Sequence, residues 1–381
     1  MAAAMVLIAA GTSAVRAQEA WLVTYGPGEE VWEMFGHNAL WLRDPAVDLD
    51  HTYSFGYFEI DRAGFYFDFA RGVMNYYGAS GQAEREFEFY RQRGRSISAQ
   101  KLALEPAEVR ALHQSLHEAI YPHPQFYAYD YFRANCSTWL RDLINRATGD
   151  QLRPFLLDQP ARQTYLGHTL RMTHHRPWIQ TGLSMLMGPS IDRPMSAWEE
   201  SFLPEALAQW LDETALAQGP LVAERITIHD PGVFEAPEQP RRAWLMLVSL
   251  GLGLGLLILF LVQVDEVWGA GAWRVGALLA GLSGSLLLLM MLATDHRDTH
   301  WNLTCLLLNP FWLLLLAPLP AHWGRVLRYL LLLATLLGAI VLAWPGLIQD
   351  RPGLVVLLLP LLGATLWGSW REASGRWLKP S

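Results

Sequence analysis

From Arg241 to the C-terminus the chain is dominated by five apolar stretches, at about 243–263, 274–293, 302–319, 326–344 and 353–370. Each approaches the roughly 17–25 residues that a helix needs to cross a ~30 Å hydrocarbon layer. Residues 18–240 contain no run of 18 uninterrupted apolar residues, so that half belongs in water. The net charge of −7 therefore averages two unlike parts. From Arg241 onward ten Lys+Arg stand against six Asp+Glu, net +4, whereas residues 1–240 carry 19 against 30, net −11. An acidic domain without a basic cluster argues against nucleic acid as a partner, because that binding is driven by phosphate neutralisation. Seventeen Trp, 15 Phe and 13 Tyr exclude a disordered chain, and two cysteines exclude a disulfide scaffold or a Cys-only zinc site.

Residues 1–17 are short, apolar and rich in small residues, and Val15-Arg16-Ala17 resembles a signal-peptidase site, which predicts export of the acidic half. With that half in the periplasm of a bacterial inner membrane, Arg274, Arg325, Arg328 and the tail with Arg371, Arg376 and Lys379 fall on the cytoplasmic side. This satisfies the positive-inside rule and puts the C-terminus in the cytoplasm; the membrane-proximal Arg241-Arg242 pair is the exception. The expected organisation is a signal at 1–17, an exported α+β domain at 18–240 and a membrane domain at 241–381. Within the exported part we expect a core at about 18–155 and a helical extension at 156–240.

Strands are expected around Ala39–Leu42, Thr52–Phe58 and Gly94–Leu104, from their alternation and aromatic content. Glu105-Pro106 opens a helix, and another runs from Asn135 to Gly149. Cys136 is the only cysteine of the exported half. An unpaired thiol in an oxidising compartment is a liability unless it is used or buried. Asn135 suits an N-cap, which puts Cys136 in the first helical turn, where the dipole and free N–H groups favour a thiolate. A thiolate nucleophile needs a base. His37, in Phe35-Gly36-His37-Asn38, is the foremost candidate, with His51 as a rival or an orienting third group. The opposing reading is an inert, buried cysteine. His113 and His117 at i,i+4 suit a solvated helix face better than a metal site, so no metal or cofactor is expected. His168, His174 and His175 read as surface groups. In the third apolar stretch Asn302, Asn309 and Pro310 fall at membrane depth, where polar groups are costly and mark either a site or a relieved kink.

Several segments together resemble bacterial lipoprotein N-acyltransferases of the Lnb type. They are Gly26–Asp44, Thr52–Glu59, Phe69–Gly72, Tyr129–Asp142, Asp192–Pro194 and Thr294–Pro310. The resemblance implies an exported domain similar to permuted papain-like, NlpC-type folds, followed by an all-α membrane domain of about five helices. It implies transfer of an acyl chain from a phospholipid to the α-amine of a lipoprotein's diacylglyceryl cysteine, through Cys136 as nucleophile and His37 as base, with Asn135 alongside. Asp295, His296 and Asn302 are then expected at the membrane surface as substrate-binding groups. This sequence departs from the pattern at Ser54, Ala134 and Trp139. A membrane-tethered NlpC-type cysteine peptidase or amidase acting on cell-wall peptides would use the same His and Cys and is the alternative.

Overall fold

The computed structural model describes residues 18–232, 236–344 and 346–375; the expected signal at 1–17 lies outside them. In chain order the soluble half runs β1 (Glu19–Tyr25), β2 (His37–Asp44), β3 (Leu49–Tyr57), α1 (Phe65–Arg71), β4 (Asn75–Gln82), α2 (Ala83–Gln92) and β5 (Ile97–Leu102). It continues with α3 (Pro106–Ile120), β6 (Tyr127–Ala128), α4 (Cys136–Ala147), α5 (Leu152–Leu157), α6 (Tyr165–Met172), α7 (Pro177–Leu186), α8 (Ala197–Glu200) and α9 (Pro204–Glu213). The hairpin β7 (Ala215–Leu216) and β8 (Gly219–Pro220) then leads to β9 (Val222–His229).

Seven strands form one sheet in the order β6-β4-β3-β2-β1-β5-β9, with antiparallel neighbours throughout. Successive strand residues point to opposite faces, and here both faces are covered. Trp21, Val23, Tyr25 and Trp41 pack against Phe87 and Tyr90 of α2. Leu22, Leu40, Leu42 and Phe55 pack on the other side in one cluster with α3, α4, α6 and α9. The residues beyond 155 are therefore not a separate helical extension. Their helices share the main core, and β9 returns to pair with β5.

Four membrane helices follow: α10 (Trp244–Val264), α11 (Glu266–Ala293), α12 (Ala321–Ala343) and α13 (Pro352–Ala373), each long and apolar enough to span a bilayer. The expected third helix at 302–319 is absent. Two short 3₁₀ helices, Leu303–Leu306 and Pro310–Leu316, take its place. Pro310 supplies no N–H and its ring obstructs an α-helical turn. At about 2.0 Å rise per residue, a 3₁₀-rich run of about 15 residues still covers roughly 30 Å. It starts against the soluble domain at Asn302 and leads into α12, and the chain meets the soluble domain again at Gln349, six residues beyond the end of α12, so the run and α12 together cross the bundle and return. Such backbone is tolerated at membrane depth only when buried in protein. Gly284 of α11 permits this: a Cβ there would lie 2.3 Å from the Asn309 backbone. The Trp312 indole donates to the Leu307 carbonyl at 2.9 Å, occupying an acceptor that an α-helix would have used.

The two halves are joined by a polar interface. Buried Arg351, just before α13, reaches Asp192 at 2.7 Å and donates to the carbonyls of Ser184, Met187 and Gly188. Arg242 pairs with Asp350 at 2.9 Å, so this exception to the charge rule is neutralised locally.

Candidate active site

The helix expected from Asn135 is present as α4, and its start is held rigidly. The Asn135 side chain accepts from Thr138 N at 3.0 Å while Thr138 Oγ1 accepts from Asn135 N at 2.8 Å, a reciprocal capping box. The amide of Asn135 also donates to the carbonyls of Tyr131 and Phe202, both at 2.9 Å. Asn135 is thus committed to shaping the turn and has no free donor for an oxyanion. Cys136 follows as the first helical residue and is 9% exposed.

His37 is the first residue of β2, and its neighbour Asn38 ties that strand to α4. Ser137 Oγ donates to Asn38 Oδ1 at 2.8 Å, and the Asn38 amide donates to Thr24 Oγ1 at 2.9 Å. Burial pushes the Cys136 thiol pKa up, against the opposing influence of the Ser137 hydroxyl, 3.8 Å from the sulfur, and of the backbone amides of Asn38, Ser137 and Cys136. The His37 ring stacks on Tyr25, with centroids 6.0 Å apart, and lies parallel to Tyr90 at 6.3 Å. Burial lowers its pKa to about 3, helped by the Arg95 guanidinium, so the imidazole is neutral at physiological pH. Arg95 is itself buried and lies over the Tyr90 ring at 4.6 Å, and its charge reaches both His37 and Cys136. His113, His168 and His296 each have a ring nitrogen in a hydrogen bond. Among the described residues the His37 ring has stacking partners and no hydrogen bond.

The His37 ring lies with Tyr25 and Tyr90 on the α2 face of the sheet, whereas Cys136 starts α4 on the opposite face, and a glycine marks the strand between. The β2–β3 register pairs Ala39 with Ser54. Continued by two residues, it sets Gly56 across from His37, at the irregularity between Phe55 and Tyr57. Gly56 has φ +105, and a Cβ there would lie 3.9 Å from both Cys136 Cβ and Tyr129. The strand thereby leaves an opening beside the thiol. Gly36, just before His37, serves the backbone. Its φ is +81 and a Cβ would meet the Tyr25 carbonyl at 2.8 Å, so glycine is required for the turn.

Other expected residues are placed elsewhere. His51 pairs with Leu42 and Gln82, five residues along β3 from Gly56, and lies near His113 rather than the thiol. Asn302 is buried and fully engaged: it donates to Met185 O and Leu186 O and accepts from Thr304 N and Gln349. That makes it a joint between the halves. Asp295 and His296 dock on α1, through Asp295 N to Arg71 O at 2.7 Å and His296 Nε2 to Phe69 O at 2.9 Å, and His296 stacks on Tyr131. His168, expected at the surface, is buried against Glu200 at 2.8 Å and Arg171 at 2.9 Å. His113 bonds Gln18 and Tyr53.

Sequence reasoning missed Glu86, whose buried carboxyl accepts from Thr52 and Ser54 beneath the Tyr25–Tyr90 stack. Burial raises its pKa. It also missed Gly56, Asn38, Tyr129 and Arg95. Gly56 had a signal, since a glycine inside an aromatic strand marks a bulge or a close approach.

Fold and site define a membrane protein whose soluble α+β domain, with a buried thiol near an uncommitted histidine, is seated on a helical membrane domain. The model of the Lnb N-terminal periplasmic domain matches residues 9–166, and that of the Lnb transmembrane domain matches residues 239–370. The chain belongs to the Lnb family. No curated protein and no solved structure gave a significant match.

Proposed function

We propose that this protein is a lipoprotein N-acyltransferase that moves an acyl chain from a phospholipid to the α-amine of a diacylglyceryl-cysteine lipoprotein. Membership of the Lnb family supports work on lipoproteins at the membrane. The observation that carries the reading is Cys136 at a capped helix start, with the Ser137 hydroxyl 3.8 Å from its sulfur and the backbone amide of Asn38, next to His37, favouring its ionised form.

In this reading His37 takes the thiol proton and Cys136 Sγ attacks a phospholipid ester. N–H groups at the start of α4 stabilise the oxyanion. The ester C–O bond breaks, the imidazolium returns its proton to the departing lysophospholipid oxygen, and a thioester remains on Cys136. The neutral amine of the acceptor then attacks the thioester and gives its proton to His37. Amide formation restores the thiol. The buried aromatic surroundings limit competition from water. The catalytic domain lies in the periplasm and the C-terminus in the cytoplasm.

The test is the intact mass of the purified protein after incubation with phospholipid alone. An acyl adduct is expected on the wild type and on neither Cys136→Ala nor His37→Ala. Full N-acylation of a reporter lipoprotein by Cys136→Ala would sink the mechanism.

A further inference from the structure

Helix α1 is a helix with no interior. Its seven residues, Phe65-Tyr66-Phe67-Asp68-Phe69-Ala70-Arg71, include four aromatic rings and none is buried; Tyr66 is 71% and Phe67 66% exposed. A soluble surface rarely presents such a cluster unless something covers it. The attachment of α1 shows what does. Its C-terminal end is fastened to the loop that follows membrane helix α11: Asp295 N donates to Arg71 O at 2.7 Å and His296 bonds Phe69 O at 2.9 Å. Gly72, at φ +82, permits the approach, since a Cβ there would meet the Asp295–His296 backbone at 2.7–2.8 Å. Asp295 is only two residues beyond the end of α11, a reach of at most about 7 Å at ~3.5 Å per residue. A seven-residue helix is only about 10 Å long. The whole of α1 is therefore held close to the plane where α11 leaves the hydrocarbon. Exposed Leu292, Trp301, Trp344 and Ile348 mark that plane on the membrane domain, with tryptophans where interfacial side chains belong.

We propose that α1 is an interfacial helix embedded in the headgroup and upper acyl region of the leaflet facing the soluble domain, and that it forms the lipid-side wall of the path to the thiol. Continuity with the interface between the two halves fixes the occupant as the protein's own bilayer. Arg71, with its guanidinium 5.6 Å from the Phe67 ring, places a cation at the headgroup level. The inner side of α1 opens an aromatic series that leads inward. Phe65 stacks on Phe58 at 5.3 Å, Phe58 meets Tyr76 at 5.0 Å, and Tyr76 stacks on Tyr129 at 4.3 Å. Tyr129 borders the space over Gly56 that also faces Cys136. An acyl chain lying along these rings keeps apolar contact from the bilayer to the thiol. The path rests on the acyl-transfer reading; the embedding of α1 does not.

The test uses the full chain in phosphatidylethanolamine–phosphatidylglycerol nanodiscs. Phe67→Cys and, separately, Tyr66→Cys carry an environment-sensitive bimane label in a Cys136→Ser, Cys305→Ala background. Val47→Cys, in the turn at the other end of β2 from His37, is the aqueous reference. Labels at 66 and 67 are expected to be quenched several-fold more by brominated acyl chains than the label at 47, and correspondingly less by aqueous iodide. Equal iodide quenching at all three positions would overturn the proposal. Because the readout needs no turnover, it stands or fails independently of whether Cys136 carries acyl groups, which the adduct experiment decides.

Discussion

Asp298→Asn isolates the contact that holds the active-site turn to the membrane domain. Arg133 lies three residues before Cys136 and grips Asp298 with two bonds, Nη1 to Oδ2 at 2.8 Å and Nη2 to Oδ1 at 2.9 Å. Ser190 adds a third bond at 2.7 Å, and Asp298 O accepts from Gly188 N at 2.6 Å. Asparagine keeps the shape but removes the charge and turns an NH2 donor toward a guanidinium donor. Breaking a fully buried pair costs about 3–5 kcal/mol. The Arg133 side chain is 35% exposed against 9% for Asp298, so water recovers part of that. The expected loss is about 2–3 kcal/mol, or roughly 30–150-fold in the docking equilibrium. Hydrogen exchange of Tyr131–Ser137 in nanodiscs should accelerate within that range if opening of the clamp governs exchange there, and transfer to a membrane lipoprotein should fall at least tenfold. The double-mutant cycle with Arg133→Met decides the matter. Additive effects, with coupling below about 0.5 kcal/mol, would refute the clamp.

Four further outcomes are expected. Since His37 is held neutral down to about pH 3 and burial raises the Cys136 thiol, kcat/KM should climb with pH into the alkaline range without an acid limb near 6.5; such a limb in the pH–rate profile would contradict the site electrostatics. The same depressed histidine favours folding above its unfolded pKa and loses that contribution as pH falls from about 6.5 toward 3, which melting temperatures across that window will show. Gly56→Ala, at φ +105, should cost about 1–3 kcal/mol in backbone strain and at least tenfold in transfer by narrowing the space over Cys136; wild-type kinetics would show that the opening is not used. Asn135→Ala should cost about 2–3 kcal/mol in thermal or denaturant unfolding, because it removes a helix cap and strands the buried Phe202 carbonyl along with the part-buried Tyr131 carbonyl.

Local chemistry made much of this protein legible in its sequence. Apolar run length separated the membrane half from the soluble one, because the bilayer imposes its thickness on every segment that crosses it. Asn135 announced α4 because the capping interaction spans only three residues. The lone thiol of the soluble half singled out Cys136 in the same local way. The third apolar stretch misled because composition reports only that a segment is apolar. Whether it coils as α or 3₁₀ depends on Pro310 and on neighbouring helices, where Gly284 admits its backbone and Gly338 the side chains of Leu306 and Leu307. Tertiary structure alone also decided that Asn302, Asp298 and Arg351 join the two halves, that His168 is buried, and that His51 lies away from the thiol. It alone showed that Gly56 leaves space beside Cys136, 80 positions away in sequence. Hydrogen-bond register and close packing bring together residues that no sequence spacing relates, and those relations exist only once the sheet has closed.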